Sequence, residues 1–290
     1  MNLIFDSNFM CHRAKHAMKN SNLSYEHMKT EIIFNFLQQL LSLTRKFEPK
    51  TIVFTWDSRK SHRKKIYPDY KAKDDAELTE EEKDFNDLSY KQFTQLKRDI
   101  LPTLGFSNIF TQTGFEADDI IASIVLTEED ENIIVSADGD LYQLLNHCKM
   151  YNPNSRRMIT ASTFKERYGI DPDQWDEVKS MAGCGGGPSK VGDNVNGIKG
   201  VAETTAIKYL LNYLPPKYKS YQSIVSKEGK AIIRRNKKLV SLPFRGTKIF
   251  ELQKDYLYAK DFLDIFYLLG FKSFTVSDEF REWELAFNLR

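Results

Sequence analysis

Three apolar runs of strand character each lead into an acid. Leu3–Phe5 is followed by Asp6, Thr51–Thr55 (TIVFT) by Trp56-Asp57, and Asn132–Ser136 (NIIVS) by Ala137-Asp138-Gly139-Asp140. Helical patterns lie between them. In residues 28–47, Ile32, Ile33, Phe36, Leu37, Leu40, Leu41 and Thr44 share one face until Glu48-Pro49 stops the pattern. Residues 88–104 and Ala117–Leu126 read as further helices, and Asn108–Thr111 as a weak strand. Strands alternating with helices predict an α/β fold with a parallel sheet. The strands of such a sheet open their C-terminal ends on one edge, where ligands bind. Acids distant along the chain are therefore expected to converge there.

The acids in question are Asp6, Asp57, Glu116, Asp118 and Asp119 (the last three in GFEADDII), Asp138, Asp140 and Asp193. Crowded carboxylates repel one another and either take up protons or attract cations. Oxygen donors suit hard divalent ions such as Mg²⁺, and only five histidines are present, which disfavours zinc. Two such ions can polarise a scissile phosphate and activate a water.

Bulk properties narrow the alternatives. With 42 basic and 40 acidic residues the net charge is +2, so any attraction for a polyanion must be local. Three widely spaced cysteines imply no disulfide framework and suit a reducing cytoplasm. The start MNLIFDSNF has neither the pattern expected of a signal peptide nor that of a transit peptide, and no run is apolar enough to span a bilayer. Charge is polarised in two adjoining segments. Residues 59–73 (RKSHRKKIYPDYKAK) are dense in Lys and Arg with Tyr67 and Tyr70 between them, and residues 74–87 are almost wholly acidic. The glycine-rich AGCGGGPSKVGDN (182–194) has Ser189 where a nucleotide-binding phosphate loop needs glycine before its lysine, and it follows a helical pattern rather than a strand. It reads as a passage that delivers Asp193. From Asp173 onward the chain is expected to be mainly helical.

The motifs IFDSN (4–8), WDS (56–58), YPDYK (67–71), GFEADDIIA (114–122), SADGDLYQLL (136–145) and VGDNVNGIKGV (191–201) together resemble the 5′-nuclease family. That family includes phage flap endonucleases and the 5′-nuclease domain of bacterial DNA polymerase I. The resemblance implies a PIN-like (resolvase-like) α/β domain over residues 1–172, its central, mostly parallel sheet flanked by helices, with a helical arch inserted at about 58–95. Residues 173–290 would form a mainly helical DNA-binding region with a helix–turn–helix (helix-hairpin-helix-like) motif. The implied activity is Mg²⁺-dependent 5′-3′ exonuclease and flap endonuclease cleavage near 5′ ends of branched DNA, in replication or repair.

The resemblance also assigns residues. Asp6, Asp57, Glu116, Asp118 and Asp119 would form a first metal site, and Asp138, Asp140 and Asp193 a second. Two or more Mg²⁺ ions, or Mn²⁺ in their place, would bind there. Lys71 and Arg63 would stand beside the scissile phosphate. Lys64, Lys65, Tyr67, Tyr70 and Lys73 would contact DNA from the arch. Asn196, Gly197, Lys199 and Gly200 would do so from the hairpin motif, whose carbonyls would also hold K⁺. The expected substrate is flapped DNA or an RNA–DNA primer, met by a monomer away from membranes. Cys184 or a glycine stands where the family commonly has another acid, Asp74 where a base is usual, and Ala202 and Thr204 alter the hairpin pattern. Two other readings share the acidic edge: a PIN-like ribonuclease, and a DNA-junction binding protein with impaired cleavage.

Overall fold

The computed structural model describes residues 1–21, 23–26, 28–72, 79–185 and 193–290. It is a mixed α/β fold with a central, mostly parallel sheet and many helices. The chain clusters into two compact units. One comprises Met1–Trp56, Asp75–Thr111 and Phe250–Arg290; the other comprises Asp57–Asp74 and Gln112–Ile249. These units cut the chain differently from the expected division at residue 172. The reason is visible in the first unit, where the segment after Phe250 returns to residues near the sheet. Asn108 Nδ2 donates to the Gln253 carbonyl at 2.8 Å, and the Ser107 amide to Asp255 Oδ1 at 2.8 Å.

In the first unit, β1 (Asn2–Asp6) pairs in parallel with β2 (Thr51–Thr55), and β2 with β3 (Ile109–Phe110). Leu3, Ile4, Phe5, Val53 and Phe54 are wholly buried, as expected of strands covered on both faces. The helix Ser7–Ala17 begins at once because Asp6 caps it, its carboxylate accepting from the Phe9 amide at 3.0 Å. The helix Glu31–Phe47 starts three residues later than its pattern suggested, since Met28–Lys29 pairs with Ser24–Tyr25 as a small hairpin. Its buried stripe takes in Leu43, whereas Leu41 is only partly covered.

The helix expected at 88–104 begins earlier, at Glu80, and runs on through a π-turn at Leu96–Ile100 to Thr103. Thr79 and Glu82 form a reciprocal capping box, and Glu80, Glu81 and Glu82 fill the first turn. Half of the acidic segment is thus a helix start, where negative charge meets the positive end of the helix dipole. Lys15 from the helix Ser7–Ala17 packs its ammonium over the rings of Phe85 and Tyr90 on this helix.

In the second unit, β4 (Asn132–Val135) pairs in parallel with β5 (Lys149–Asn152), and β5 pairs antiparallel with β6 (Arg157–Ile159). The β5–β6 hairpin has only short apolar stretches and escaped the sequence pattern. The helix Ala117–Thr127 falls where expected, and the LYQLL segment forms a 3₁₀ helix, Gly139–Leu144. Beyond Asp173 the described residues are mainly helical, as expected: Trp175–Ala182, Glu203–Leu210, Lys219–Val225 and Lys227–Val240 belong to this unit. A two-residue ladder joins Gly183–Cys184 to Val195–Asn196. No helix among the described residues is long and apolar enough to cross a membrane.

Candidate active site

Each acid stands where strand and helix ends present it. In the first unit, Asp6 closes β1, opposite Thr55 of the parallel β2. In the second unit, Asp57 Oδ1 accepts from the Ala117 amide at 2.8 Å and so braces the first turn of the helix Ala117–Thr127. Glu116 sits at the N-cap of that helix, buried, while Asp118 is half-buried in its first turn. Asp138 follows β4, and its carboxylate caps the 3₁₀ turn by accepting from the Asp140 amide at 2.8 Å.

Asp119 differs from its neighbours. It is 0% exposed, and its two oxygens take Arg63 in a bidentate pair at 2.6 and 2.8 Å. They also accept from the amides of Phe244 (2.9 Å) and Glu116 (3.0 Å). Its acceptor capacity is filled by protein. Arg63 is equally enclosed: Nε donates to the Leu239 carbonyl at 2.8 Å and the guanidinium lies 4.8 Å from the Phe244 ring centroid. Burial alone would depress the charged form, but the hydrogen bonds and charge of Asp119 outweigh it and hold Arg63 above its usual pKa. The expected places of Asp119 on a metal and Arg63 beside a phosphate therefore do not match this geometry. Arg63 turns inward from the 3₁₀ turn His62–Lys65, while Lys64 and Lys65 point to solvent.

Tyr70 also departs from expectation. It is 1% exposed, so its ring has no free face for a base. Its hydroxyl lies 2.9 Å from Glu116 Oε2 and 3.0 Å from Asp193 Oδ2. Lys71 Nζ meets the same two residues, at 3.0 Å from Glu116 and 3.5 Å from Asp193. Partial burial opposes its charge, but Asp193 and Glu116 together raise its pKa. Sequence reasoning missed Lys179. Its ammonium is 2.9 Å from Asp140 Oδ1 and 3.1 Å from Glu203 Oε1, joining the helix Trp175–Ala182 to the start of the helix Glu203–Leu210. Only an unremarkable lysine in an amphipathic helix signalled it. Cys184 lies beside Asp140, Sγ to Oδ1 3.8 Å, and burial followed by the Asp140 charge pushes its thiol well up from the usual range.

Among the described residues, no three acidic, histidine or cysteine side chains converge tightly enough to hold an ion as they stand. The donor chemistry nevertheless fits a hard divalent cation. Asp138 reaches solvent but is crowded by protein; that desolvation first, then the charge of Asp140, pushes its pKa up to about 6. Carboxylates so placed are relieved by a cation, and Lys71 and Lys179 already neutralise Glu116, Asp193 and Asp140.

The hairpin segment is anchored beside these groups in the same unit. Asn196 donates to the Tyr67 hydroxyl at 3.2 Å, and its carbonyl accepts from Arg235 (2.8 Å) and Asn236 (3.0 Å). Arg235 stacks 4.7 Å from the Tyr67 ring centroid. A Cβ at Gly197 would lie 2.1 Å from the Ala182 carbonyl oxygen, so this glycine serves chain packing. Gly200 has φ +79° with open space around it, and Lys199 and Gly200 are exposed. Lys73, and residues 186–192 of the glycine-rich loop, lie outside the described residues.

Residues 1–169 match the family model described as the 5′-3′ exonuclease, N-terminal resolvase-like domain. DNA polymerase I of Mycobacterium leprae is 29% identical over 267 residues, spanning 88% of this chain and 27% of that protein. The thermostable DNA polymerase I of Thermus aquaticus is 29% identical over 212 residues, 72% of this chain and 23% of that one. The chain thus spans about a quarter of the length of these relatives. Among solved structures, the bacteriophage T5 D15 protein crystallised with metal ions shares 25% identity and a TM-score of 0.69, over 84% of this chain and 90% of that one. The same phage protein, a flap endonuclease, has also been solved as a pseudo-enzyme–product complex with DNA and metal ions. Flap endonuclease-1 from Methanococcus jannaschii shares the fold, with a TM-score of 0.60 at 12% identity over 99% and 91% of the two chains. With the family model covering more than half its length, this chain belongs to the 5′-3′ exonuclease family and carries its resolvase-like domain.

Proposed function

We propose that the protein is a metal-dependent, structure-specific 5′-nuclease that hydrolyses phosphodiesters near the 5′ ends of flapped or branched DNA. The observation that carries this is the acid array of the second unit, Asp57, Glu116, Asp118, Asp138, Asp140 and Asp193, with Asp6 of the first unit from the same family motifs. Its oxygen-only donors, with Asp138 held back from ionising by burial and Asp140, favour Mg²⁺, with Mn²⁺ as a substitute. Bound there, the ions would polarise the scissile phosphate and lower the pKa of an attacking water.

The protein's own groups divide the remaining tasks. Lys71, 41% exposed at its side chain, is paired with Glu116 and Asp193 yet reaches solvent, where a phosphate can meet it, and the buried Arg63 instead fixes Asp119 and through it the helix bearing Glu116 and Asp118. Lys64 and Lys65 offer charge to a phosphate backbone from the exposed face of their turn, and Lys73 adds a further basic residue two positions beyond Lys71. Asn196 and Gly197 hold the hairpin turn, and Lys199 and Gly200 present it to duplex DNA. K⁺ at that turn, action on RNA–DNA primers and function as a monomer belong to the same reading.

A 5′-labelled flap and the same flap with its 5′ end blocked, each incubated with Mg²⁺ or with EDTA, test the reading. Mg²⁺-dependent products at the junction of the labelled flap are expected. Binding of the flap with no metal-dependent product would overturn cleavage in favour of a junction-binding role, and faster turnover of RNA hairpins would favour a ribonuclease.

A further inference from the structure

Two consecutive residues bridge acids that the family motifs assign to two different metal sites. Tyr70 and Lys71 both contact Glu116, of the first set, and Asp193, of the second. The tyrosine hydroxyl has one proton and two carboxylate oxygens within 3.0 Å, so it satisfies only one of them by donation. Lys71 supplies three N–H donors and a full charge to the same pair. Arg63 adds a more distant contact to Glu116, at 3.8 Å.

The backbone shows that Lys71 is held in place. Its φ is +48°, a left-handed conformation that an ordinary residue adopts only where its surroundings impose it. Asn194, on the facing segment, is also left-handed, at φ +55°. The two segments are stitched together: the Lys71 amide donates to the Asp193 carbonyl at 3.0 Å, and Asn194 Nδ2 to the Ala72 carbonyl at 2.7 Å. This stitching points the ammonium at the two carboxylates that a divalent cation would need.

We propose that Lys71 is the built-in counter-ion of the Glu116–Asp193 pair and competes with divalent metal for it. Metal binding then frees the ammonium for a substrate phosphate, so the same lysine restrains metal loading and responds to it. This rests on the reading of Glu116 and Asp193 as metal-site residues.

The test needs neither DNA nor cleavage. Mn²⁺ binding to the whole chain is measured by titration calorimetry for the wild type, Lys71→Met and Lys60→Met, the last an exposed lysine that controls for general loss of positive charge. Lys71→Met should bind Mn²⁺ roughly three- to tenfold more tightly, and Lys60→Met within about twofold of wild type. A second arm uses the wild type alone. Acetylation of Lys71 by an amine-reactive reagent, followed by mass spectrometry, should quicken several-fold when Mn²⁺ is added, while that of Lys60 stays constant. Unchanged or weaker Mn²⁺ affinity in Lys71→Met, or Lys71 labelling that is unchanged or slowed by Mn²⁺, overturns the proposal. A wild type that binds no Mn²⁺ at all would instead remove the metal-site reading beneath it.

Discussion

Asp119 and Asp138 share one functional group and sit in opposite surroundings. Asp119 is enclosed, with a guanidinium on both oxygens and two backbone amides beside them. Asp138 reaches solvent, accepts a backbone bond from the Asp140 amide, and is discouraged from ionising by the protein crowded round it and by Asp140. Replacing each by asparagine should therefore separate structure from chemistry. Asp119→Asn leaves Arg63 buried beside a neutral partner, a change of the kind that costs about 3–5 kcal/mol. Denaturant unfolding should show a loss of that order, with cleavage falling as the fold is lost. Asp138→Asn removes a crowded charge, so unfolding stability should hold or rise while Mg²⁺-dependent flap cleavage drops by orders of magnitude. Equal stabilities of the two variants in EDTA would contradict the roles drawn for Asp119 and Arg63.

At the level of elements, the two hairpin-motif glycines face different constraints. Gly197 lies so close to the end of the helix Trp175–Ala182 that a methyl group would meet the Ala182 carbonyl oxygen at 2.1 Å and force the backbone to move. Gly200 has room for a methyl group but needs a left-handed φ of +79°. Gly197→Ala should thus displace the ladder between Gly183–Cys184 and Val195–Asn196 and disturb Asn196. Thermal unfolding should show a markedly lower midpoint, with weaker duplex binding. Gly200→Ala should cost only about 1 kcal/mol of backbone strain and keep the ladder. A similar loss from both substitutions would mean that turn conformation, rather than close packing, governs this segment. The same contrast shows why motif spacing located the hairpin but not its reason. Period and glycine content are printed in the sequence, whereas the carbonyl against Gly197 comes from a helix end about fifteen residues earlier.

Across the whole molecule, legibility followed how local each signal was. The strands β1, β2 and β4 and the helix Ala117–Thr127 were legible because dense apolar runs end in acids and caps. The β5–β6 hairpin was not, because its short strands carry too few apolar residues to alternate clearly. Acidic positions were legible as a set, but their partners were not: Tyr70, Arg63 and Lys179 acquire their roles through acids 24 to 123 residues away. Charge is another property that only the folded chain resolves. The net charge of +2 gives no bulk attraction for DNA. Yet the helix Lys227–Val240 exposes Lys227, Lys230, Arg234 and Lys238, whereas Lys237 is engaged with Asp176 and Glu177 and Arg235 with Asn196. If the four exposed groups neutralise phosphates, each contact contributes about 0.9 to the slope of log affinity against log salt. Flap binding measured by anisotropy in Ca²⁺ over a KCl series should show this. The Lys227→Ala/Lys230→Ala/Arg234→Ala triple variant should lower the slope by roughly 2–3, and Lys237→Ala by less than one unit of contact because its charge is already paired. A triple variant with the wild-type slope would place the DNA backbone elsewhere and leave this helix with only its packing role.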